Sequence, residues 1–468
     1  MNTRLVPRRG AEVRAVTTRD GPPPGTEPTT LPRVATNWRN WAGNQHATPA
    51  ETHAPAHVDE VAQTISAAAQ RGQRVKAIGS GHSFSGIGLT DGIQINPTKL
   101  TGLVSVDTEN GLVTVQGGTP LHRLNTLLDA AGLAMSNLGD IDRQTVAGAI
   151  STGTHGTGAA FGGLATQVRG LELVLADGRV VRTDSDNDPE LFRTARVGLG
   201  ALGVISAVTL AVEPAFTLRA LEGPMGLDRV LSELDEMVAD NEHFEFYWFP
   251  HTEHTLTKRN NRLRDGEPRR PLGRVRRMTE DEVLSNGAFW VSCRLGRAAP
   301  GLVPAINGLT GRVLSAREYT DTSHRVFCSP RRVRFTEMEY AVPRAAVRDA
   351  IDGLRRVVEM DGVRVTFPVE VRFGAGDDIP LSMASGRDTA YLSVHMVAGQ
   401  PYRRYFDEVE ALMGTLDGRP HWGKMHGRDA EELRGRYPRF DEFLAVRRRA
   451  DPGGVFANEY LDRVLGPA

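Results

Sequence analysis

Residues 136–158 read SNLGDIDRQTVAGAISTGTHGTG and form the most informative stretch of this sequence. Glycines recur through it, and a run of small hydroxylated residues at 151–154 precedes His155. Glycine permits positive φ angles and lets a backbone approach a ligand closely, and successive backbone N–H groups in such turns form a concavity that favours anions. The composition predicts a loop that wraps around a pyrophosphate. The alternative is a flexible surface loop, but four apolar residues indicate that part of the stretch is buried: Val146, Ala147, Ala149 and Ile150.

The composition of the 468-residue chain is typical of a globular protein, with 40% hydrophobic and 24% charged residues. This length predicts two or three domains. The formal net charge of −1 argues against a nucleic-acid partner and does not indicate membrane association, although a peripheral membrane contact stays open. Cys293 and Cys328 make no disulfide framework, no apolar run could span a bilayer, and Arg8-Arg9 lacks the apolar segment of an export signal. We therefore predict a cytoplasmic location.

Three regions follow from the pattern along the chain. Residues 1–36 are rich in proline, threonine, arginine and glycine, which predicts a disordered tail. Residues 37–213 alternate helical patterns with short strands and predict an α+β domain, with hairpins about Asn110-Gly111 and Asp177-Gly178. Residues 214–468 interleave strands and helices again, beginning with a helix expected over Leu227 to Val238, and predict a second α+β domain with a large sheet. Within it, the arginine-rich segment 258–277 has no apolar periodicity and is interpreted as a solvated loop.

Two further glycine patterns are candidates for binding a nucleotide. Gly198–Gly203 matches G-x-G-x-x-G, but a strand-like segment, Val204–Val212, follows it where a Rossmann helix should begin. Tight packing beside a cofactor is therefore the favoured interpretation of this pattern. Gly79–Phe84 lacks the Rossmann spacing as well, yet it is a glycine turn at the end of a strand, which a phosphate can use.

Five motifs in order resemble those of the aldonolactone oxidoreductases, a family of flavoproteins with a vanillyl-alcohol-oxidase-type FAD domain. The family includes gulonolactone, arabinonolactone and galactonolactone oxidases or dehydrogenases, with alditol oxidase as a near relative. The resemblance implies a two-domain α+β fold: an FAD-binding (PCMH-type) domain over residues 37–213, and a substrate domain built on a large antiparallel sheet over residues 214–468, whose C-terminal segment returns to the flavin. The motifs are GSGHSF at 79–84, NLGDIDRQTVAGAISTGTHGTG at 137–158, LGALGVIS at 199–206, EVR at 370–372 and HWGKMH at 421–426.

The resemblance also implies which residues hold FAD. His82 matches the histidine that many relatives bond covalently to the flavin 8α-methyl group; the alternative is a histidine that only packs near the ring. The segments 79–84 and 148–155 are expected to hold the pyrophosphate and adenosine through backbone N–H groups. The complete expected cofactor set is Gly79, Ser80, Gly81, His82, Ser83, Phe84, Gly139, Asp140, Thr145, Gly148, Thr152, Gly153, Thr154, His155 and Ile205.

Two of these residues also bear on the reaction. Gly139 aligns with a family position beside the flavin that gates oxygen, and glycine there favours an oxidase over a dehydrogenase. Asp140 replaces the serine found in alditol oxidases, which argues against an open-chain polyol as substrate.

Glu370 and Arg372 lie at i and i+2 in a predicted strand, so both side chains point to the same face. From spacing alone, an exposed ion pair that contributes little is the simpler interpretation. The resemblance instead implies that the pair binds the hydroxyls and carbonyl of a sugar lactone. His395 alternates with apolar neighbours and is either a core histidine or a substrate contact.

The HWGKMH motif places two histidines five residues apart, without the spacing of helical metal ligands and without acidic neighbours in sequence, so we predict no metal site. The family assigns this motif to the substrate side of the flavin. Lys424 is then a cation that, together with Arg372, stabilises the negative charge of reduced flavin.

The expected function is FAD-dependent oxidation of an aldono-1,4-lactone, of the L-gulono- or D-arabinono- type, at C2 to an ascorbate-like product, with O2 reduced to H2O2. Glu370, Arg372, Lys424 and His395 form the expected catalytic set. The alternatives are a lactone dehydrogenase that uses a cytochrome or quinone, an alditol oxidase, and a non-catalytic flavin-binding protein.

Overall fold

The helices and strands predicted from the hydrophobic pattern are largely present in the folded chain. The predicted tail, residues 1–36, and part of the predicted loop at 258–277 lie outside the described residues. The structure, a computed structural model, describes residues 37–264, 266–271, 273, 289–329 and 333–468.

Amphipathic spacing accounts for the longer helices. In the first of them, Val61, Ile65 and Ala68 recur on one face and are buried. The described helices, numbered α1 to α14 in chain order, are Val58–Gln70, Leu121–Ala130, Val146–Ser151, Pro189–Ala195, Leu227–Ser232, Leu234–Ala239, Phe289–Ala298, Val303–Val313, Ser323–Phe327, Val347–Glu359, Arg403–Thr415, Ala430–Arg434, Phe440–Ala450 and Glu459–Leu465.

The strands are short before residue 200 and longer after it. The described strands, numbered β1 to β20, are Trp38–Arg39, His46–Ala47, Glu51–His53, Val75–Ala77, Ile93–Ile95, Leu103–Asp107, Leu112–Gln116, Leu133–Ala134, Val168–Val174, Val180–Asp184, Val204–Ala211, Glu213–Pro214, Thr217–Gly226, His243–Trp248, His254–Arg262, Arg317–Thr322, Phe335–Pro343, Val369–Gly374, Thr389–Val397 and Arg419–Pro420.

The first half of the chain forms two main sheets. A parallel sheet has the order β3-β5-β4, and an antiparallel sheet has the order β10-β9-β11-β7-β6. The hairpins predicted around Asn110-Gly111 and Asp177-Gly178 are confirmed, because β6 pairs with β7 and β9 with β10 across those turns.

The second half is built on an eight-stranded sheet with the order β16-β13-β15-β14-β18-β19-β17-β20, in which every pairing is antiparallel. Helices α10 and α11 bury their apolar sides against one face of it, together with alternate strand residues such as Met338 and Val371. Polar residues therefore occupy the opposite face of the central strands. The predicted α+β fold with a large antiparallel sheet is confirmed.

Three local predictions were wrong. The helix expected over Leu227–Val238 is two short helices, α5 and α6, which break at Glu233. Lys258 to Arg262 are not loop but the end of β15; this strand lies between two others and buries threonine and asparagine, so it shows no apolar alternation. A six-residue helix, α3, occupies the middle of the glycine-rich stretch at 136–158.

The last helices pack against the first half of the chain. Apolar residues of α13 and α14, among them Phe443 and Leu461, belong to the same core as Val113 of β7. The Val455 carbonyl accepts a hydrogen bond from the Val75 N–H at 2.7 Å. A division at residue 213 therefore stays a proposal, since the two halves share one core.

Among the residues that the structure describes, none of the helices has both the length and the apolar character required to cross a membrane. The cytoplasmic location stays a prediction.

Candidate active site

An open cleft begins at the carboxyl end of β4, where the chain enters the glycine turn at 79–83. It contains about 990 Å³ of space that protein atoms do not fill. Residues of the segments 76–89, 144–152 and 199–205 form most of its lining, and several of them are glycines. A cleft of this kind, with several glycine turns in its wall, suits a dinucleotide.

The glycines of the turn could not be replaced without obstruction. A Cβ on Gly79 would lie 2.2 Å from Thr145 Oγ1, and Gly81 has φ +66° with its Cβ position 2.9 Å from the Trp38 ring. Thr145 is itself fixed, because its hydroxyl oxygen accepts a hydrogen bond from the Gly148 N–H at 3.2 Å and caps α3. Bare backbone therefore faces the cleft on both sides, which fits the phosphates of FAD.

Lys76 is a buried lysine in the cleft wall that the sequence did not reveal. Its Nζ donates to the carbonyls of Gly200 and Phe456 at 3.1 and 3.2 Å. Burial, followed by the charge of Arg447, lowers the pKa of Lys76 to about 7. The lysine thus ties the glycine pattern at 198–203 and the C-terminal segment to β4.

The turn at 79–85 also contacts the HWGKMH motif. The Phe84 N–H donates to the Gly423 carbonyl at 2.6 Å, and the Ser85 hydroxyl donates to the Trp422 carbonyl at 2.8 Å. Lys424 Nζ lies 5.3 Å from the centroid of the Phe84 ring. Two motifs more than 330 residues apart in sequence are therefore held side by side.

His82 lies at this junction, with its ring 5.7 Å from that of Trp41 in a stacked arrangement. Burial, and then the nearby charges of Lys424 and Arg143, lower the pKa of His82 to about 4. The imidazole is therefore neutral at pH 7 and keeps a nitrogen lone pair, which a bond to the flavin methyl group requires.

Glu370 and Arg372 of β18 are both buried, so an exposed ion pair does not describe them. Arg372 Nη2 contacts Glu370 Oε1 and lies 3.7 Å from Asp140 Oδ2, while Arg372 Nε donates to Glu245 Oε2 at 2.8 Å. Tyr247 Oη lies 3.0 Å from Glu370 Oε1. Burial works against the charge of Arg372, but Glu370 and Glu245 hold its pKa well above the ordinary value. The predicted pair thus faces the loop that contains Asp140.

A second cluster of charged side chains lies on the same face of the eight-stranded sheet, at β17, which is two strands away from β18. Lys424 Nζ contacts Glu337 of β17, and His395 Nε2 lies 3.5 Å from Glu337 Oε1. Burial would neutralise Lys424, but Glu337 and Glu339 outweigh it and raise the Lys424 pKa. His395 also packs between Phe335 and Phe367, and its Nδ1 has no hydrogen-bond partner in the part of the chain that the structure describes.

His155, Glu339 and His421 offer three potential metal-ligand atoms within 4.8 Å of one another. Hydrogen bonds already engage most of these atoms. Glu339 accepts from the Ser393 hydroxyl at 2.5 Å and lies 2.7 Å from His155 Nε2, and His421 Nδ1 accepts from the Gly423 N–H at 2.9 Å. Because Nδ1 accepts, a neutral His421 ring carries its proton on Nε2 and offers no second lone pair. The absence of a metal site stays a prediction.

The expected cofactor residues separate into two groups. One group lines the cleft: Gly79, Ser80, Gly81, His82, Ser83, Thr145, Gly148, Thr152 and Ile205. The other lies beside it, and its backbone is partly engaged, because the N–H groups of Gly153 and Thr154 donate to carbonyls of α3. This second group comprises Phe84, Gly139, Asp140, Gly153, Thr154 and His155.

The pKa values of two buried histidines predict acid sensitivity. Burial, as the largest cause, lowers the pKa of His243 and of His421 to about 4, whereas both would titrate near 6.5 in the unfolded chain. The unfolded state therefore binds more protons, and stabilisation that is complete above pH 6.5 is lost as the pH falls towards 4. Each histidine contributes at most about 3 kcal/mol. We expect the free energy of unfolding, measured in urea, to fall from pH 7 to pH 5. The fall should be less steep for the His243→Asn variant. A free energy of unfolding that stays constant over this range would contradict the prediction.

Comparisons with known proteins show the family of this chain. Residues 49–184 match the family model of an FAD binding domain, and residues 208–464 match that of D-arabinono-1,4-lactone oxidase. This chain belongs to the D-arabinono-1,4-lactone oxidase family. L-gulono-1,4-lactone dehydrogenase of Mycobacterium tuberculosis is 44% identical over 92% of this chain and 99% of its own length. L-gulonolactone oxidase of Bos taurus is 36% identical over 92% of this chain and 98% of its own.

The fold is shared more widely than the family. Cholesterol oxidase from Brevibacterium sterolicum superposes with a TM-score of 0.79 at 18% identity, over 95% of this chain and 99% of the other. Membership of the D-arabinono-1,4-lactone oxidase family confirms the resemblance found in the sequence. The protein is an FAD-dependent oxidoreductase.

Several polar residues of this family member were missed by the sequence interpretation. Glu245 and Tyr247 lie at i and i+2 in HFEFYW, and Glu337 and Glu339 do so in FTEMEY. Carboxylates that alternate with large apolar residues in a strand would have been the signal, since burial of a charge requires a partner.

Proposed function

We propose that this enzyme oxidises an aldono-1,4-lactone at C2 and passes the electrons to O2. The observation that carries the proposal is the buried Glu370–Arg372 pair, which faces Asp140 in the cofactor half at 3.7 Å. A sugar lactone presents vicinal hydroxyls, which suit carboxylate acceptors, and a polarised carbonyl, which suits a guanidinium donor. The named activities of the two relatives support the same substrate class.

Each group at the site has a different role in the proposed reaction. FAD, held by the turns at 79–83 and 145–152, supplies the hydride acceptor. Arg372 binds the lactone carbonyl and Glu370 accepts a hydrogen bond from the C2 hydroxyl, which orients C2 for oxidation. The hydroxyl proton leaves to Glu370, to the unpartnered Nδ1 of His395, or to water. Lys424 places a partly buried positive charge on the same face, where negative charge develops during the transfer.

Removal of a hydride from C2 and a proton from its hydroxyl gives a 2-keto lactone, which enolises to an ascorbate-like product. The two electrons then reduce O2 to H2O2. A second acceptor class, a cytochrome or quinone, is favoured by the name of the 44% identical relative, a dehydrogenase. Gly139 bears on this choice less simply than its sequence indicates, because a Cβ there would lie 3.0 Å from the His155 carbonyl oxygen rather than in open space.

Anaerobic titration of the purified yellow protein tests the proposal. We expect L-gulono-1,4-lactone or D-arabinono-1,4-lactone to bleach the flavin absorbance, and alditols of equal length to bleach it much more slowly. Recovery of absorbance on admission of O2, with one H2O2 per lactone, would support an oxidase. Recovery only with cytochrome c or a quinone would support the dehydrogenase alternative. Bleaching by no lactone would overturn the proposed function.

We also propose that His82 forms the covalent bond to FAD. After acid precipitation, we expect the flavin to remain in the protein pellet of the wild type and to stay in the supernatant of a His82→Ala variant. His122→Ala, which removes a histidine outside the cleft lining, serves as the control and should keep a yellow pellet. A colourless wild-type pellet would show that His82 only packs beside the ring.

A further inference from the structure

A row of alternating charges crosses five strands of the eight-stranded sheet and ends at Arg372. Glu222 of β13 is opposite both Arg317 of β16 and Lys258 of β15, and Glu245 of β14 is opposite both Lys258 and Arg372 of β18. The signs alternate at every step from the edge strand to the centre of the sheet. We call these five residues the charge row.

Direct contacts link the row in two groups. At the edge, Arg317 Nε donates to Glu222 Oε2 at 2.7 Å. At the centre, Lys258 Nζ lies 3.2 Å from Glu245 Oε1, and Arg372 Nε donates to Glu245 Oε2 at 2.8 Å. Each oxygen of the Glu245 carboxylate thus serves a different cation.

Because the side chains are largely buried, these contacts strongly affect the charge of Glu245. The Glu245 side chain is 5% exposed and that of Lys258 14% exposed, so neither charge is hydrated as it would be in water. Burial alone would raise the pKa of Glu245, but Lys258 and Arg372 together lower it to about 2. Glu245 is therefore a permanent anion at neutral pH.

The geometry explains what this anion does. A guanidinium offers Nε on one edge and two Nη groups on the other. Glu245 holds the Nε edge, and Arg372 Nη2 is then left to contact Glu370 and Asp140, on the side that the proposed function assigns to the lactone. Lys258 offsets the negative charge of Glu245. The positive charge of Arg372 is therefore not cancelled by the carboxylate that holds its guanidinium.

We propose that Glu245, with Lys258 beside it, is a positioning residue that fixes the guanidinium of Arg372 for substrate binding. This inference rests on the proposed function for the identity of the substrate, but not for the contact between Glu245 and Arg372. Glu245 itself is not part of the lining of the cofactor cleft.

The variant Glu245→Gln tests the proposal, because it keeps the size of the side chain and removes its charge. Hydrogen bonds to charged groups contribute about 1.5–3 kcal/mol, so we expect kcat/KM for the lactone to fall roughly 10- to 100-fold. The FAD content and the position of the visible absorbance maxima should not change. In an Arg372→Met background, the same substitution should cause little further loss, because the group that it positions is gone.

Glu222→Gln is the matched control. Glu222 is equally buried, is paired with an arginine on the same sheet and belongs to the same row, but it has no contact with Arg372. It should lower the melting temperature about as much as Glu245→Gln and leave kcat/KM within about twofold of wild type. An equal loss of kcat/KM in both variants would mean that the row only supports the fold, and would overturn the proposal.

A crystal structure of Glu245→Gln gives a readout that does not depend on the substrate. We expect the contact between Arg372 Nε and residue 245 to lengthen or break, and the guanidinium to rotate from its wild-type orientation. An unmoved guanidinium, or wild-type kcat/KM, would overturn the positioning role. If no lactone reduces the wild-type flavin, the proposed function fails, and this structure still decides the inference.

Discussion

Replacing Glu370 with glutamine is expected to lower kcat/KM for an aldono-1,4-lactone by about 10²–10⁴-fold while FAD content stays at the wild-type level. Glutamine keeps the shape of the side chain but neither carries charge beside Arg372 nor accepts a proton from the C2 hydroxyl. The fold should persist, because Arg372 retains Glu245 and Asp140 as counter-charges.

Glu410→Gln provides a matched control for this variant. Glu410 accepts a hydrogen bond from the Tyr340 hydroxyl, much as Glu370 contacts Tyr247, but Tyr340 belongs to the apolar core on the opposite face of the sheet. We expect that control to change thermal stability and not kcat/KM. Steady-state rates with lactone, normalised to bound flavin, give the comparison. Full activity of Glu370→Gln would remove this residue from the catalytic set.

Lys424→Met is expected to slow anaerobic reduction of the flavin by lactone by about 10²–10³-fold, the usual effect of removing a preorganised charge from a reacting site. The loss has a second consequence, because Glu337 depends on Lys424 for its charge. Burial raises the pKa of Glu337, and Lys424 is the largest of the influences that bring it down to about 2. Without the lysine, we expect that carboxyl to titrate at a much higher pH.

Lys424→Arg separates charge from geometry. It keeps the cation and should recover much of the reduction rate, together with the wild-type pH profile. Stopped-flow reduction at saturating lactone, measured from pH 5 to pH 9, shows both effects. A Lys424→Met enzyme whose flavin is reduced at the wild-type rate would exclude an electrostatic role for this residue.

The fold could be predicted well wherever local pattern and burial agree. Helix α1 and the hairpin around Asn110-Gly111 follow directly from spacing and turn chemistry. The hydrophobic pattern wrongly predicted a loop at Lys258. Strand β15 is paired on both sides and faces polar neighbours, so apolar and polar residues need not alternate along it. The pattern also missed helix α3 within residues 136–158, because a helix of six residues is too short to show a hydrophobic period.

The site could be predicted as separate motifs but not as an arrangement. The i, i+2 spacing placed Glu370 and Arg372 on one face, yet their burial depends on the loop that contains Asp140, more than 200 residues away. Strand register, which no local pattern encodes, brings Glu245 and Lys258 behind Arg372. Likewise, Glu339 approaches His155 and His421 only through tertiary packing, so the absence of acidic neighbours in sequence said nothing about their surroundings.

The contacts of residues 455–458 have a consequence for biosynthesis. The wall of the cleft depends on the Phe456 carbonyl, which receives Lys76, and on the Asn458 amide, which donates to three carbonyls at residues 86–89. Chains fold from the N-terminus while they are being made, but here an early sheet lacks its last contacts until residues 455–458 have been synthesised. We therefore expect nascent chains that stop before residue 455 to capture flavin poorly, because the wall of the cleft is then incomplete.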